Sequence, residues 1–133
     1  MKSLVIGAML LPLLAVPAFA DGDPAAGEAV FKKCMACHAV GADAKNKIGP
    51  ELNGVFGQPA AGRDDGYAYS AGLKEAGAGG LIWTPETLAK WLHKPKDVVP
   101  NTKMTFAGLT DDADVANVIA YLATFSPDYK PAQ

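Results

Sequence analysis

The chain has 133 residues, with 12 lysines and arginines against 14 aspartates and glutamates and a net charge near −2. That length suits one ordinary domain, and the slightly acidic balance speaks against a nucleic-acid binder, which would carry a basic patch on a basic domain. Two cysteines and two histidines are the whole stock of soft metal donors besides methionine.

The first predicted element is an export signal. Lys2 is a positive start, Leu4 to Val16 is apolar, and Ala18-Phe19-Ala20 has the small-x-small form that signal peptidase cuts. Pro12 and Pro17 interrupt the apolar stretch, which is also shorter than the ~20 residues of a spanning helix. Residues 1–20 are therefore expected to be a cleaved leader and residues 21–133 one domain, which loses Lys2 and carries a net charge of −3.

In that domain Asp23-Pro24 predicts a helix start, with aspartate as cap and proline at the first helical position. Val30 and Phe31 lie near one face of this short helix, which runs into Cys34 and Cys37. From Ala39 to Ile82 the chain is rich in glycine, holds Pro50 and Pro59, and keeps neither helical period nor strand alternation. Short helical turns are predicted only around Leu52–Phe56 and Tyr69–Glu75. So long an irregular stretch in a compact domain is commonly functional. Thr84-Pro85 repeats the cap-and-proline start, and Leu88, Trp91 and Leu92 predict a helix to about Lys94, stopped by Pro95. An extended loop is expected from Pro95 to Gly108. Thr110-Asp111-Asp112 then opens a last helix through Val115, Val118, Ile119 and Leu122.

The chemistry lies at Cys34-Met35-Ala36-Cys37-His38. A disulfide across two residues would close too small a loop to restrain the unfolded chain much. The pentapeptide is C-x-x-C-H, the pattern of covalent haem attachment: two thiols three apart can add to two vinyl groups, and the next residue then offers an imidazole to the iron. A thioredoxin-type pair would follow a strand and precede a helix, whereas this one follows a short helix and precedes a loop. A zinc site would need Cys34, Cys37, His38 and His93 together, without familiar finger spacing.

Electron-transfer haems take methionine or histidine as the other axial ligand. Met1 and Met9 belong to the leader and Met35 lies inside the attachment turn, which leaves Met104 and His93. Met104 sits in Pro100-Asn101-Thr102-Lys103-Met104, a loop able to wrap a haem face. His93 stands beside Lys94 near a helix end and reads as a surface residue.

With these residues in place the mature chain resembles the class I cytochromes c, of the mitochondrial-type and bacterial c2 branch. The stretch Gly49-Pro50-Glu51-Leu52-Asn53-Gly54-Val55-Phe56-Gly57 is similar to the family's loop after the attachment motif. Pro100 to Met104 is similar to its methionine loop, with Asn101 in place of the usual glycine. The resemblance implies an all-α, single-domain class I cytochrome c fold: three main helices, short helical turns and long loops wrapped around one covalently bound haem c. It implies iron ligation by His38 and Met104, attachment at Cys34 and Cys37, and a Pro50 carbonyl that orients His38. Tyr69 and Trp83 fall where the family bonds a propionate, Thr102 where a hydroxyl shields it, and Trp91 where a tyrosine usually stands beside the methionine. Leu73 replaces a common asparagine, and Gln58 a propionate-facing arginine for which Arg63 would substitute from a slightly longer loop. Gly27 and Phe31 are expected to cross Val118 and Tyr121.

The function so implied is a soluble, exported, monomeric mono-haem electron carrier of the periplasm, not an enzyme. Its donor would be a quinol-oxidising cytochrome complex or a dehydrogenase, and its acceptor an oxidase or a photosynthetic reaction centre. No nucleic acid is expected as partner. Docking would use a basic ring of Lys33, Lys47, Lys96 and Lys103 around the haem edge. The competing readings are a peroxidase-like haem enzyme with a labile distal site and a non-haem Cys/His redox or metal module.

Overall fold

The structure, a computed structural model, describes residues 22–131, so the export signal expected over 1–20 lies outside the described residues. Among the described residues five helices follow in order: α1 (Pro24–Phe31), α2 (Ala71–Ala78), α3 (Pro85–His93), α4 (Pro95–Val98) and α5 (Asp112–Ala123). Among the described residues there is no strand; one isolated antiparallel bridge joins Pro59 to Ile82. The architecture is the all-α one expected, with α1, α3 and α5 as its main helices.

The starts of these helices are written in side chains. The Asp23 carboxylate accepts from Ala25 N at 2.9 Å and the Asp111 carboxylate from Ala113 N at 2.8 Å. Thr84 and Thr87 form a reciprocal box at the start of α3, each hydroxyl accepting from the other's backbone N–H. Ser70 caps α2 by accepting from Leu73 N, so the turn expected at Tyr69–Glu75 becomes two turns of helix displaced toward Ala78.

One expectation holds in its shortest form and another needs correction. A single turn closes at Leu52, where Val55 N bonds to Leu52 O at 3.3 Å, and it goes no further because Gly54 takes a positive φ of 66° and its N–H bonds to Phe125 O at 2.7 Å. Pro95 does stop α3, but it also opens the single turn of α4. Its fixed φ and missing N–H end one helix and suit the first position of the next.

The core lies where α1 crosses α5. Val30 and Phe31 pack with Val115, Val118, Ile119 and Leu122, all buried, and the Phe31 and Tyr121 rings lie 5.5 Å apart. The backbones touch at Gly27, where any Cβ would collide with the carbonyl of Asn117, while the Asn117 side chain accepts from Asp23 N at 2.9 Å. The irregular stretch is fastened to the rest by backbone bonds between 57–60 and 81–83, among them Gly57 N to Trp83 O at 2.7 Å and Trp83 N to Gln58 O at 2.9 Å.

Because the Gly27 contact is backbone on backbone, it has no flexible side chain to give way. Gly27→Val is expected to cost about 1–3 kcal/mol through forced separation of α1 and α5, read as a lower midpoint in denaturant. An unchanged midpoint would show that the crossing tolerates a side chain.

Candidate haem site

α1 ends at Phe31, and the chain continues in tight turns that carry the motif. Cys34 N bonds to Phe31 O at 2.8 Å, and Cys37 N and His38 N both bond back to Cys34 O, at 3.1 and 2.9 Å. One coil of backbone therefore holds both thiols and the imidazole, and its position is set by the α1–α5 crossing. Both cysteines are free and half-buried. Burial pushes the Cys34 thiol up, Lys33 partly opposing and Cys37 reinforcing the shift. A redox-exchange cysteine needs the reverse, a depressed thiol.

The His38 ring rests on the backbone of Gly49, and its Nδ1 donates to Pro50 O at 2.7 Å. A carbonyl can only accept, so the proton sits on Nδ1 and the Nε2 lone pair is free. Burial, the larger effect, and Lys47 lower the pKa of this histidine while the Pro50 bond opposes them. The ring is thus held neutral and aimed, the form a metal takes.

Cys34, Cys37, His38 and Met104 all line one cavity of about 410 Å³, within the range of about 300–1,000 Å³ usual for ligand and cofactor pockets. Phe31, Leu88, Trp91, Leu92, Val118 and Leu122 supply much of its apolar wall. Met104 is half-buried, and its N–H donates to the Thr102 hydroxyl at 3.1 Å. Trp83 and Trp91 are both buried, edge to face, with ring centres 5.4 Å apart. Tyr69, Trp83, Trp91, Thr102 and Pro50 all border the cavity, as do Leu73, Gln58 and Arg63.

His93 does not line the cavity. Its Nδ1 faces Leu109 O at 3.0 Å and its Nε2 faces Asp112 Oδ1 at 3.2 Å. That placement removes it as rival to Met104 and separates it from the cysteines, and no group of three His, Cys, Asp or Glu residues able to hold a metal occurs among the described residues.

What the sequence reading missed is the polar mesh that shapes the wall. Asn53 bridges Gly41 in both directions, donating to its O at 2.7 Å and accepting from its N at 2.8 Å. Asn46 accepts from Glu51 N and donates to Asp65 O, at 2.9 and 3.1 Å. Arg63 donates to the Glu51 carbonyl at 2.8 Å and pairs with the Glu51 carboxylate, and its Nε lies 3.7 Å from Asp65. The Tyr69 hydroxyl donates to Asp65 at 3.3 Å; burial first, and then the charge of Asp65, push that phenol up to about 12. Arg63, Asp65, Tyr67 and Tyr69 stand close together in the sequence, but nothing in it shows which of them pair.

The lysines divide. Lys33 and Lys103 border the cavity. Lys33 lies 3.7 Å from Asp114, which offsets its charge. Lys103 donates to Ala68 O at 2.7 Å and sits over the Tyr67 ring, and Lys47 donates to Met35 O at 3.0 Å, so both keep their full charge against neutral acceptors. Lys96 is exposed on α4.

Two thiols and a neutral, oriented imidazole on one coil, facing an apolar cavity that a thioether also enters, define a haem-binding protein of the c type. The cytochrome c profile matches residues 24–126. The chain is 50% identical over 113 residues to cytochrome c2 of Agrobacterium tumefaciens (strain II Chrys), covering 85% of this chain and all of that protein. With cytochrome c2 of Blastochloris viridis it shares 44% over 128 residues, 96% of this chain and 97% of the relative. The solved structure of cytochrome c2 from Rhodospirillum centenum superposes with a TM-score of 0.74 at 47% identity, over 80% of this chain and all of that one. The chain belongs to the cytochrome c family, in its c2 branch, and its cofactor is one covalently attached haem c. The cavity's size, its apolar wall and its donor set fit that group.

Glu51 and Arg63 are only 15% and 24% exposed in their side chains, so removing the guanidinium strands two carboxylates in a poorly hydrated place. Arg63→Gln is expected to destabilise the protein by about 1–2 kcal/mol and to speed amide exchange across residues 46–65. Exchange confined to the substituted residue would remove this role.

Proposed function

We propose that Cys34 and Cys37 carry the two thioether bonds to the haem, that His38 Nε2 and Met104 Sδ are its axial ligands, and that the protein is a one-electron carrier. The observation that carries this reading is the convergence of those four side chains on one apolar cavity. The bound group supplies an iron that gains and loses one electron, with a potential raised by a thioether ligand and by burial. The protein's work is to hold and to exclude. Pro50 fixes the His38 tautomer. Thr102 pins the Met104 backbone. Trp83, Trp91 and Leu88, all buried, keep water from the cavity. If His38 and Met104 both held the iron, no open position would remain for a substrate, which favours a carrier over a peroxidase-like enzyme.

Tyr69, Trp83 and Thr102 are assigned to the propionate side, beside Arg63, which takes over from the missing arginine at Gln58 while it holds Glu51. Trp91 packs beside the Met104 ligand. Residues 1–20 are assigned as a cleaved export signal and residues 21–133 as the mature domain, working as a monomer in the periplasm. No helix among the described residues is long and apolar enough to cross a membrane. The donor is assigned as a quinol-oxidising cytochrome complex or a dehydrogenase, and the acceptor as an oxidase or a photosynthetic reaction centre.

Docking uses the lysine ring, with unequal members. Lys33 contributes less than Lys47 and Lys103, because Asp114 lies against it while the contacts of the other two are to uncharged groups. Such charges act on encounter rate more than on affinity and are screened by salt.

Met104→Ala is expected to abolish the weak far-red absorption band of the oxidised protein and to admit external ligands to the iron, while the sharp reduced haem bands persist. An unaltered far-red band would sink the assignment of Met104. For docking, Lys103→Gln is expected to slow association with an acidic redox partner about two- to tenfold at low salt, and Lys33→Gln by less. Equal effects, or none from salt, would remove the electrostatic account.

A further inference from the structure

Of the two histidines, His93 is assigned no task in haem binding, yet its ring makes two polar contacts across the fold. It stands at the last position of α3, where the chain leaves for the loop that carries Met104. That loop returns at Leu109, whose N–H bonds to Leu92 O at 2.8 Å. Gly108 lies so close to the His93 carbonyl that a Cβ there would collide with it. Across this neck the His93 ring reaches two partners, Leu109 O at 3.0 Å and Asp112 Oδ1, at the start of α5, at 3.2 Å.

Both partners can only accept. A neutral imidazole has one N–H, so it satisfies one partner and turns a lone pair toward the other; an imidazolium donates to both. The charged groups on the elements meeting here are Glu86, Lys90 and Lys94 from α3 and its end, Lys96 and Asp97 from α4, and Asp111, Asp112 and Asp114 from the start of α5. Lys94 lies 3.5 Å from Asp97, and Asp111 spends its carboxylate on the α5 cap. Asp112 is left as the acid that meets the ring.

We propose that His93 is a positioning residue for Met104: its ring, held by Leu109 and Asp112, clasps the neck of the 94–108 loop and slows the opening in which Met104 leaves the iron. The inference rests on the reading of Met104 as a ligand, but the clasp itself does not require it. The side chains of His93 and Asp112 are 41% and 95% exposed, so a modest, salt-sensitive effect is expected.

The test uses the haem-loaded protein and compares wild type with His93→Ala, Asp112→Asn and His93→Asn, which keeps a donor near the place of Nδ1. Two readouts are taken. The first is amide exchange at Leu109, whose N–H closes the neck. The second is the rate at which saturating cyanide displaces the native ligand, which then equals the rate of loop opening. His93→Ala is expected to open about two- to fivefold faster than wild type by both readouts. Asp112→Asn should show a smaller acceleration, and His93→Asn should recover part of the protection at Leu109. Ratios of one overturn the proposal; so does faster Leu109 exchange with unchanged cyanide capture. Should Met104 not be the ligand, the wild type lacks the far-red band, a result that Leu109 exchange does not touch.

Discussion

Where α1 crosses α5 the two backbones touch, because Gly27 has no Cβ to hold the Asn117 carbonyl away, and the rest of the site inherits its position from that contact. Phe31 ends α1 inside the crossing, and Cys34 hangs from the Phe31 carbonyl three residues later. The other helix delivers Val118 and Leu122 to the cavity wall. Thiol and wall are thus placed by one interaction, and the distance between them cannot drift without the crossing itself opening. A small helical domain has little other rigid material, and a bound cofactor adds the contact area that its own side chains lack.

Between Ala39 and Ile82 the chain solves a different problem. Only α2 and one isolated bridge supply regular structure there, yet the segment must present Pro50 to His38 and Tyr69 to the cavity. Side chains replace the missing ladders: Asn53 pairs with Gly41 as a second backbone would, Asn46 links residues 51 and 65, and Arg63 reaches 12 residues back to Glu51. Backbone groups buried in such a loop need partners. The polar composition that made this stretch look shapeless is what shapes it.

Charge follows the same logic of local context. The chain is mildly acidic overall, but the sign of a surface depends on what each lysine faces. A carboxylate beside Lys33 takes back part of its charge, whereas carbonyl groups hold Lys47 and Lys103 in place and leave theirs intact. A formal count of lysines therefore overstates one member of the ring relative to the others.

Sequence alone settled the features that depend on residues close together in the chain. Asp23-Pro24 and Thr84-Pro85 mark helix starts because cap and first turn are adjacent, and the thiols and His38 share one coil, so both were legible as strings. The pairing of His38 with Pro50, 12 residues on, was legible only through likeness to a family. Other features were decided in three dimensions. At Leu52–Phe56 a bond to Phe125 holds the chain to one turn, and Arg63 chose Glu51 and Asp65 as partners. His93 lies at the surface as read, but there it bridges α3 and α5. The physical reason is common to all three. A hydrogen bond or ion pair between distant residues exists only once the intervening chain has been folded to bring them together, and local propensity carries no information about where that chain will return.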